Sequence, residues 1–400
     1  MRAKELRQLV TTLARQGAPV EPRCPHAGEC GGCAFQDRTY SDQVAAKATA
    51  LSRVFAAAGI TLPDGPEVAV VPSPDPFAYR TRMDYVATKG RFGLRARGKF
   101  NYIIELTTCH LIPPSAFAVA HLLWRTAQEL GLPDYNVRTH EGFLRYLVVR
   151  RSPNESLLLA AVTAAGPYEA AMEHLATTAL AQPGVASFYW LLNDSLTDLS
   201  FGTPVRHWGA ELLAMGNAPD QLVIGPNTFF QNNIHLLDQL CDAVLAATTA
   251  TGRPERVADL YGGVGTLALR LAPHVGAVDC VEAVAESAAL AERNAVAAGA
   301  SNLRAIAHDV LPFLRTQAPA AYPVVVADPP RTGLGPDVCA ELLRLAPDRI
   351  VYVSCNPLTQ SEDLHNLLST YRLTALCGYD MFPHTPHVET LAILERQGCS

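Results

Sequence analysis

In IVYVSCNPL, Ile350–Leu358, four strand-forming residues and a serine lead into a cysteine. Pro357 ends the strand, and Thr359-x-x-Glu362 reads as a capping box opening the helix LTQSEDLHNLL. Cys355 is therefore expected at the carboxyl end of a strand, just before a helix amino terminus. Open α/β sheets bind ligands at that edge, and a helix dipole there favours thiolate over thiol. A lone cysteine is more often buried and inert; this position makes a nucleophile the reading to test. Further on, FPHTPHVETLAIL carries His384, His387 and Glu389. The two histidines could ligate a metal, but no third ligand follows at convincing spacing, and Glu389 reads as a general base.

Two more stretches place polar groups at strand ends. In VVVADPPRTGL two prolines make a rigid turn that holds Asp328 at the ligand edge. Asp-Pro-Pro turns occur in methyltransferases acting on nitrogen, usually beside an aromatic residue; here Arg331 follows, which argues against that chemistry. In DLYGGVGTLAL, Gly262, Gly263 and Gly265 let backbone approach a ligand closely. Their G-G-x-G spacing is not the G-x-G-x-x-G of a dinucleotide site. Glu282 ends the next strand, where a carboxylate can take both ribose hydroxyls, and Asp309 ends the third, on the adenine side. A nucleoside without phosphates fits, and S-adenosylmethionine is such a ligand; a plain tight turn and an NAD site are the competing readings.

Cys24, Cys30 and Cys33 fall within CPHAGECGGC, and Cys109 lies far downstream in ELTTCHLIP. Four sulfurs suit structural zinc or an iron–sulfur cluster, and His26 or His110 could replace one in a zinc site. Cys241, Cys280, Cys339, Cys377 and Cys399 read as core or incidental. In YRTRMDYVATKGRFGLRARGKF, seven cations from Arg80 to Lys99 interleave with Tyr79, Tyr85, Phe92 and Phe100 against a lone Asp84. Such a stripe suits phosphate neutralisation and stacking on splayed RNA bases, or else a solvated strand face.

The elements that must position these residues form two patterns. From Val257 onward strand-like and helix-like segments alternate, as in a doubly wound, mostly parallel sheet, and the last two strands suggest an antiparallel edge. Between about 66 and 205, FLRYLVVRRSPNESLLLAAVTA reads as a hairpin and VASFYWLLND and LTDLSFG as further strands, an antiparallel β domain. At 400 residues and 49% apolar content the chain can bury two or three cores. It has neither an apolar signal run nor a stretch long enough to span a membrane, so a cytoplasmic location is expected. A net charge of -6 weighs weakly against nucleic acid, leaving local clustering to decide.

Taken together, DPPRTGL, SCNP and FPHTPHVE, with NTFFQNN at Asn227–Asn233, resemble the RNA uridine C5-methyltransferases, most closely the bacterial 23S rRNA (uracil-5-)-methyltransferases. The resemblance runs from Cys24 to Glu395 in the family's order. It implies a Rossmann-like S-adenosylmethionine-dependent domain at 206–400 and a β-rich, RNA-contacting central domain at 1–35 and 69–205. A helical segment at 36–68 would pack on the catalytic domain. The resemblance also implies Cys355 as nucleophile, Glu389 as base, and Gln231, Tyr261, Thr266, Glu282, Asp309 and Asp328 around S-adenosylmethionine. By the same resemblance Cys24, Cys30, Cys33 and Cys109 hold a [4Fe-4S] cluster. Cys24 comes too early for the RNA-binding β-barrel (TRAM domain) that begins some members. The expected partner is 23S rRNA, for a monomer. A tRNA uridine methyltransferase is the nearer alternative, disfavoured because that branch generally lacks the four cysteines. A catalytically inactive iron–sulfur RNA-binding protein is the farther one.

Overall fold

The computed structural model describes residues 2–63, 65–216 and 222–398, the side chain of Phe100 excepted; Cys399 lies outside the described residues. The chain divides into two compact units, one of Met1–Pro19, Arg38–Pro74 and His235–Ser400, the other of Val20–Asp37 and Asp75–Ile234. The main division falls at 234/235 rather than near 205. Strand Thr203–Gly209 pairs with Val185–Leu192, which keeps the intervening chain in the β-rich unit.

The first unit is built on an eight-stranded sheet. Its spatial order is Ala69–Val71, Tyr371–Tyr379, Glu389–Arg396, Arg349–Ser354, Val324–Ala327, Arg256–Leu260, Ala277–Glu282, Leu303–Ala307. Val324–Ala327 and Arg349–Ser354 are buried along their whole length, as parallel strands covered on both faces must be. Glu389–Arg396 runs antiparallel to both neighbours, but it is not an edge. It inserts between Arg349–Ser354 and Tyr371–Tyr379, and Ala69–Val71 adds in parallel beyond the latter. Helix Tyr40–Ala57 buries Leu51, Val54 and Phe55, together with two polar residues, Gln43 and Lys47. The Lys47 ammonium pairs with Asp380 and donates to the Phe382 carbonyl at 3.0 Å, while Tyr40 donates to the other Asp380 oxygen at 2.9 Å. No described helix is long and apolar enough to cross a membrane.

The second unit carries a seven-stranded sheet in the order Lys99–Glu105, Arg91–Ala96, Arg82–Thr88, Leu144–Arg151, Leu157–Thr163, Val185–Leu192, Thr203–Gly209. The expected hairpin is present, Leu144–Arg151 against Leu157–Thr163. One pair departs from the antiparallel expectation: Leu157–Thr163 and Val185–Leu192 run parallel, the chain between them containing helix Glu169–Leu180. LTDLSFG is a loop rather than a strand, because its Asn193 and Asp194 lead-in folds onto side chains instead of a ladder.

The cation–aromatic stripe resolves differently from a stacking platform. Tyr79, Tyr85 and Phe92 are fully buried; strand alternation turns Tyr85 and Phe92 to the core, where they pack together with Phe117. Several of the cations are committed inside the unit. Arg82 bonds Asp84 and the Ser200 and Pro226 carbonyls, Arg95 bonds Asp198, and Arg97 bonds the Cys33 and Ala34 carbonyls.

Candidate active site

Register brings the expected nucleophile and base together. In the antiparallel pair Ser354 lies opposite Thr390, so Cys355, just past the strand end, comes beside Glu389. Thr390 Oγ1 donates to the Ser354 carbonyl at 3.1 Å and bonds Gln360 Oε1 at 2.6 Å, and Gln360 donates to the Tyr352 carbonyl at 3.0 Å. The two strand ends are thus fixed by side chains as well as by the ladder. The helix after Cys355 begins at Pro357, three residues earlier than a cap at Thr359 would start it. Asn356 is its cap, the side chain accepting from the Leu358 amide at 3.3 Å. Asn356 also donates to the Arg331 carbonyl at 2.9 Å. Asp363 accepts from the Leu334 and Gly335 amides and from Tyr352, tying the loop after Asp328 to the same helix.

The resting charge state follows from burial. Cys355 is half-buried, and desolvation, then Glu389, push its thiol up to about 11; Arg331, within hydrogen-bonding reach of the sulfur, and Asp328 act in opposite directions. Glu389 is only 3% exposed, and its Oε2 has no hydrogen-bond partner among the described residues. Burial, then Asp328, raise its carboxyl well above the usual range, opposed by Arg331. Burial therefore favours the neutral form of both thiol and carboxyl, and one cation, Arg331, opposes it at both.

The Gly-rich edge adjoins this pair along the sheet. Tyr261, Glu282, Asp309 and Asp328 follow or end four neighbouring parallel strands, all at their carboxyl ends. Tyr261 has a left-handed φ of 62°, and Gly263 and Gly265 likewise have φ of 57° and 87°. A Cβ on Gly262 would come within 2.3 Å of Cys280 Sγ, so only glycine fits that turn. The Glu282 carboxylate accepts from the Gly263 amide at 3.0 Å and the Val284 amide at 2.7 Å. Thr266 starts the helix behind Gly265, and Asp309 caps the short helix Val310–Arg315. Beneath the turn, Asp259 is fully buried with no hydrogen-bond partner of good geometry on either oxygen; burial, then Asp328, push it up to about 8. Sequence reading passed over Asp259 as a strand residue.

The profile of the tRNA (Uracil-5-)-methyltransferase family matches residues 221–397. An uncharacterized RNA methyltransferase of Nitratidesulfovibrio vulgaris is 35% identical over 392 residues, covering 94% of this chain and 83% of that protein. The tRNA (uracil(54)-C(5))-methyltransferase of Pyrococcus abyssi is 33% identical over 376 residues, covering 94% of this chain and 86% of its own. The chain belongs to the RNA uracil-5-methyltransferase family. The crystal structure of the Pyrococcus abyssi enzyme, in complex with S-adenosyl-L-homocysteine, superposes with a TM-score of 0.76 at 31% identity, over 91% of this chain and 86% of that one.

In this methyltransferase the cavity at Cys355 has a wall that the motifs do not contain. Ala3, Leu6 and Arg7 of the first helix, Ala3–Ala14, line it together with Arg331, Cys355 and His387. Nothing in the sequence of this helix says which cavity it borders. His384 is buried at a left-handed φ of 63°, its amide donating to Gln43, which places it behind the cavity wall rather than in a metal site. Gln231 belongs to the second unit, where its carbonyl accepts from Thr81 Oγ1 at 3.0 Å.

The four amino-terminal cysteines of the methyltransferase line one cavity of the second unit, with Gly32, Leu94 and Leu106. All four are free thiols, and burial raises each, Cys30 to about 11 and Cys33 to about 12. Among the described residues no group of three or more His, Cys, Asp or Glu stands as a ready site for a metal ion. This segment is stitched down by backbone bonds, Gly31 N to the Arg95 carbonyl and Arg97 N to the Glu29 carbonyl, both at 2.8 Å, and by the Arg97 guanidinium on the Cys33 and Ala34 carbonyls.

Proposed function

We propose that this protein methylates uridine C5 in RNA through a covalent bond between Cys355 and uracil C6. The observation carrying the reading is the cross-strand register that puts a cysteine and a buried carboxyl at one sheet edge beside Arg331. S-adenosylmethionine, when bound, supplies an electrophilic methyl on a sulfonium. The residues of the first unit proposed to line it are Tyr261, Thr266, Glu282, Asp309 and Asp328, and the Glu282 and Gly-rich turn geometry fits a ribose.

Uracil C5 is a poor nucleophile by itself. Cys355, losing its proton, adds to C6, and the C5=C6 electron pair moves onto C5 and O4 to give an enolate-like carbon that accepts the methyl. Glu389, once ionised, takes the proton left on C5; that electron pair re-forms C5=C6 and expels the thiolate. Arg331 favours both ionised groups. A stacked uridine cannot be reached from both sides, so the target is flipped out or single-stranded.

For the RNA we take tRNA in place of the 23S rRNA that the motif resemblance implied. Relatives named for uracil 54 of tRNA, from Pyrococcus abyssi and Pyrococcus horikoshii, support this at 33% and 31% identity along 86% of their length. They outweigh the argument from the four cysteines. For Cys24, Cys30, Cys33 and Cys109 we keep the [4Fe-4S] reading. Four thiols bordering one cavity support it. Its role would be structural, since thiolate addition needs no electron transfer.

The test is Glu389→Gln with tRNA transcript and S-adenosylmethionine. Addition and methyl transfer should proceed while elimination stalls, so a denaturation-resistant protein–RNA adduct builds up, and Cys355→Ala should give neither adduct nor product. A Glu389→Gln protein with undiminished turnover and no adduct would place the base elsewhere.

A further inference from the structure

A second charged cavity lies in the β-rich unit, and none of its lining residues lines the cavity at Cys355. Its lining holds four cations, Lys89, Arg95, Arg138 and Arg145, against a single acid, Asp198, in a chain whose net charge is -6. The cations fall into two pairs with different work. Arg145, 2% exposed, donates to the carbonyls of Asn193, Ser195 and Thr197 and lies 4.3 Å over the Tyr135 ring. Arg95 bonds Asp198, which also accepts from Tyr146. These two guanidiniums build the wall, and they neutralise the acid that would otherwise repel an anion.

Lys89 and Arg138 are the other pair. Both are exposed, and neither has an ion-pair partner among the described residues. Lys89 sits at a left-handed φ of 52°, held there by the Gly90 amide donating to Asp134 at 2.7 Å. Asn136 accepts from the Arg138 amide at 3.0 Å and so shapes the loop that carries the second cation. Between them the shallow cleft offers the amide side chains of Asn101 and Asn136. Unpaired cations beside exposed amides suit a nucleotide: phosphate on the ammonium and guanidinium, base edge against the amides.

We propose that this cleft binds a nucleotide of the substrate RNA other than the reacting uridine, its phosphate held by Lys89 and Arg138. The proposal rests on the RNA-methylation reading and gives that reading a docking point outside the reacting pair. It keeps Lys89 of the cation stripe as an RNA contact and drops the buried aromatics Tyr79, Tyr85 and Phe92.

The full-length Lys89→Ala/Arg138→Ala protein is compared with the parent and with Arg53→Ala/Arg125→Ala, which loses the same two charges from exposed helix positions elsewhere. Binding of an unmodified tRNA transcript is followed by anisotropy from 50 to 200 mM salt. Each phosphate contact contributes about 0.7 to 0.9 to the slope of log affinity against log salt, so the cleft variant, which loses one such contact, should lose roughly that much. The control should keep the parent's slope, and all three should bind S-adenosylhomocysteine equally. A cleft variant with the parent's slope, or a control that loses as much, overturns the proposal. Methyl incorporation by the parent is measured alongside. Failure of the RNA reading then appears as absent incorporation, and failure of the cleft as unchanged variant binding.

Discussion

At pH 8 the ligand-free protein should react slowly with iodoacetamide at Cys355. A thiol pushed up to about 11 is three pH units above its surroundings, so roughly one molecule in a thousand carries thiolate, against about a quarter for an ordinary cysteine near 8.5. The more basic thiolate is intrinsically the better nucleophile; with a Brønsted coefficient of about 0.45 it recovers roughly 13-fold. The net expectation is alkylation about 20-fold slower than an unperturbed cysteine, climbing about tenfold per pH unit until a midpoint near 11. The sign of the Arg331 contribution is fixed by geometry. The guanidinium favours the anion, so Arg331→Ala moves the midpoint up and slows the reaction further at any pH below it. Peptide-resolved mass spectrometry of alkylation from pH 7 to 11 separates Cys355 from the other thiols. A midpoint below 8 in the ligand-free protein, or faster alkylation in Arg331→Ala, would refute the reasoning that burial and Glu389 hold the nucleophile neutral until substrate arrives.

Lys47→Met should destabilise the protein by about 3 to 5 kcal/mol in chemical denaturation, because Asp380 is left ionised with a side chain 0% exposed; adding Asp380→Asn should recover most of that loss. Gly262→Ala should cost about 1 to 3 kcal/mol and most of the affinity for S-adenosylhomocysteine in calorimetry, since the new methyl meets Cys280 Sγ; Cys280→Ala in the same chain should restore part of both. Protein purified without oxygen should contain iron, and Cys109→Ser should lose it together with thermal stability; stoichiometric zinc and no iron in the parent would sink the cluster reading while leaving the four-thiol cavity unexplained only in its metal.

The parallel half of the fold was legible because each strand was followed by its helix and each functional residue sat at a strand end. The Asp-Pro-Pro and Ser-Cys-Asn-Pro turns announced the edge of the sheet without any register. Pairing was not legible. Glu389 meets Cys355 only because Glu389–Arg396 enters the sheet in reverse beside Arg349–Ser354, and a hairpin at the edge would have separated them. Alternation misled at Tyr79, Tyr85 and Phe92, where the cations between them drew attention to a face that the aromatics do not share. Lys47 and Asp380 each looked like ordinary surface charges, since nothing local marks a lysine whose partner is 333 residues away. The wall that Arg7 lends to the Cys355 cavity is of the same kind, a long-range contact with no local signature.

Those long separations bear on how the chain is made. Helix Tyr40–Ala57 and strand Ala69–Val71 leave the ribosome early, yet their partners Asp380 and Tyr371–Tyr379 are translated near the end. At about 5 to 20 residues per second, the 333 residues between Lys47 and Asp380 take roughly 20 to 70 s. Throughout that interval the nascent chain carries an amphipathic helix with its apolar face uncovered and a lysine awaiting its carboxylate. The β-rich unit, by contrast, is fully translated by Ile234 and can close its own core before the catalytic sheet exists. A polypeptide stopped short of the last two strands should therefore hold one finished unit and one sticky remnant, which makes premature termination a route to aggregation rather than to a smaller enzyme.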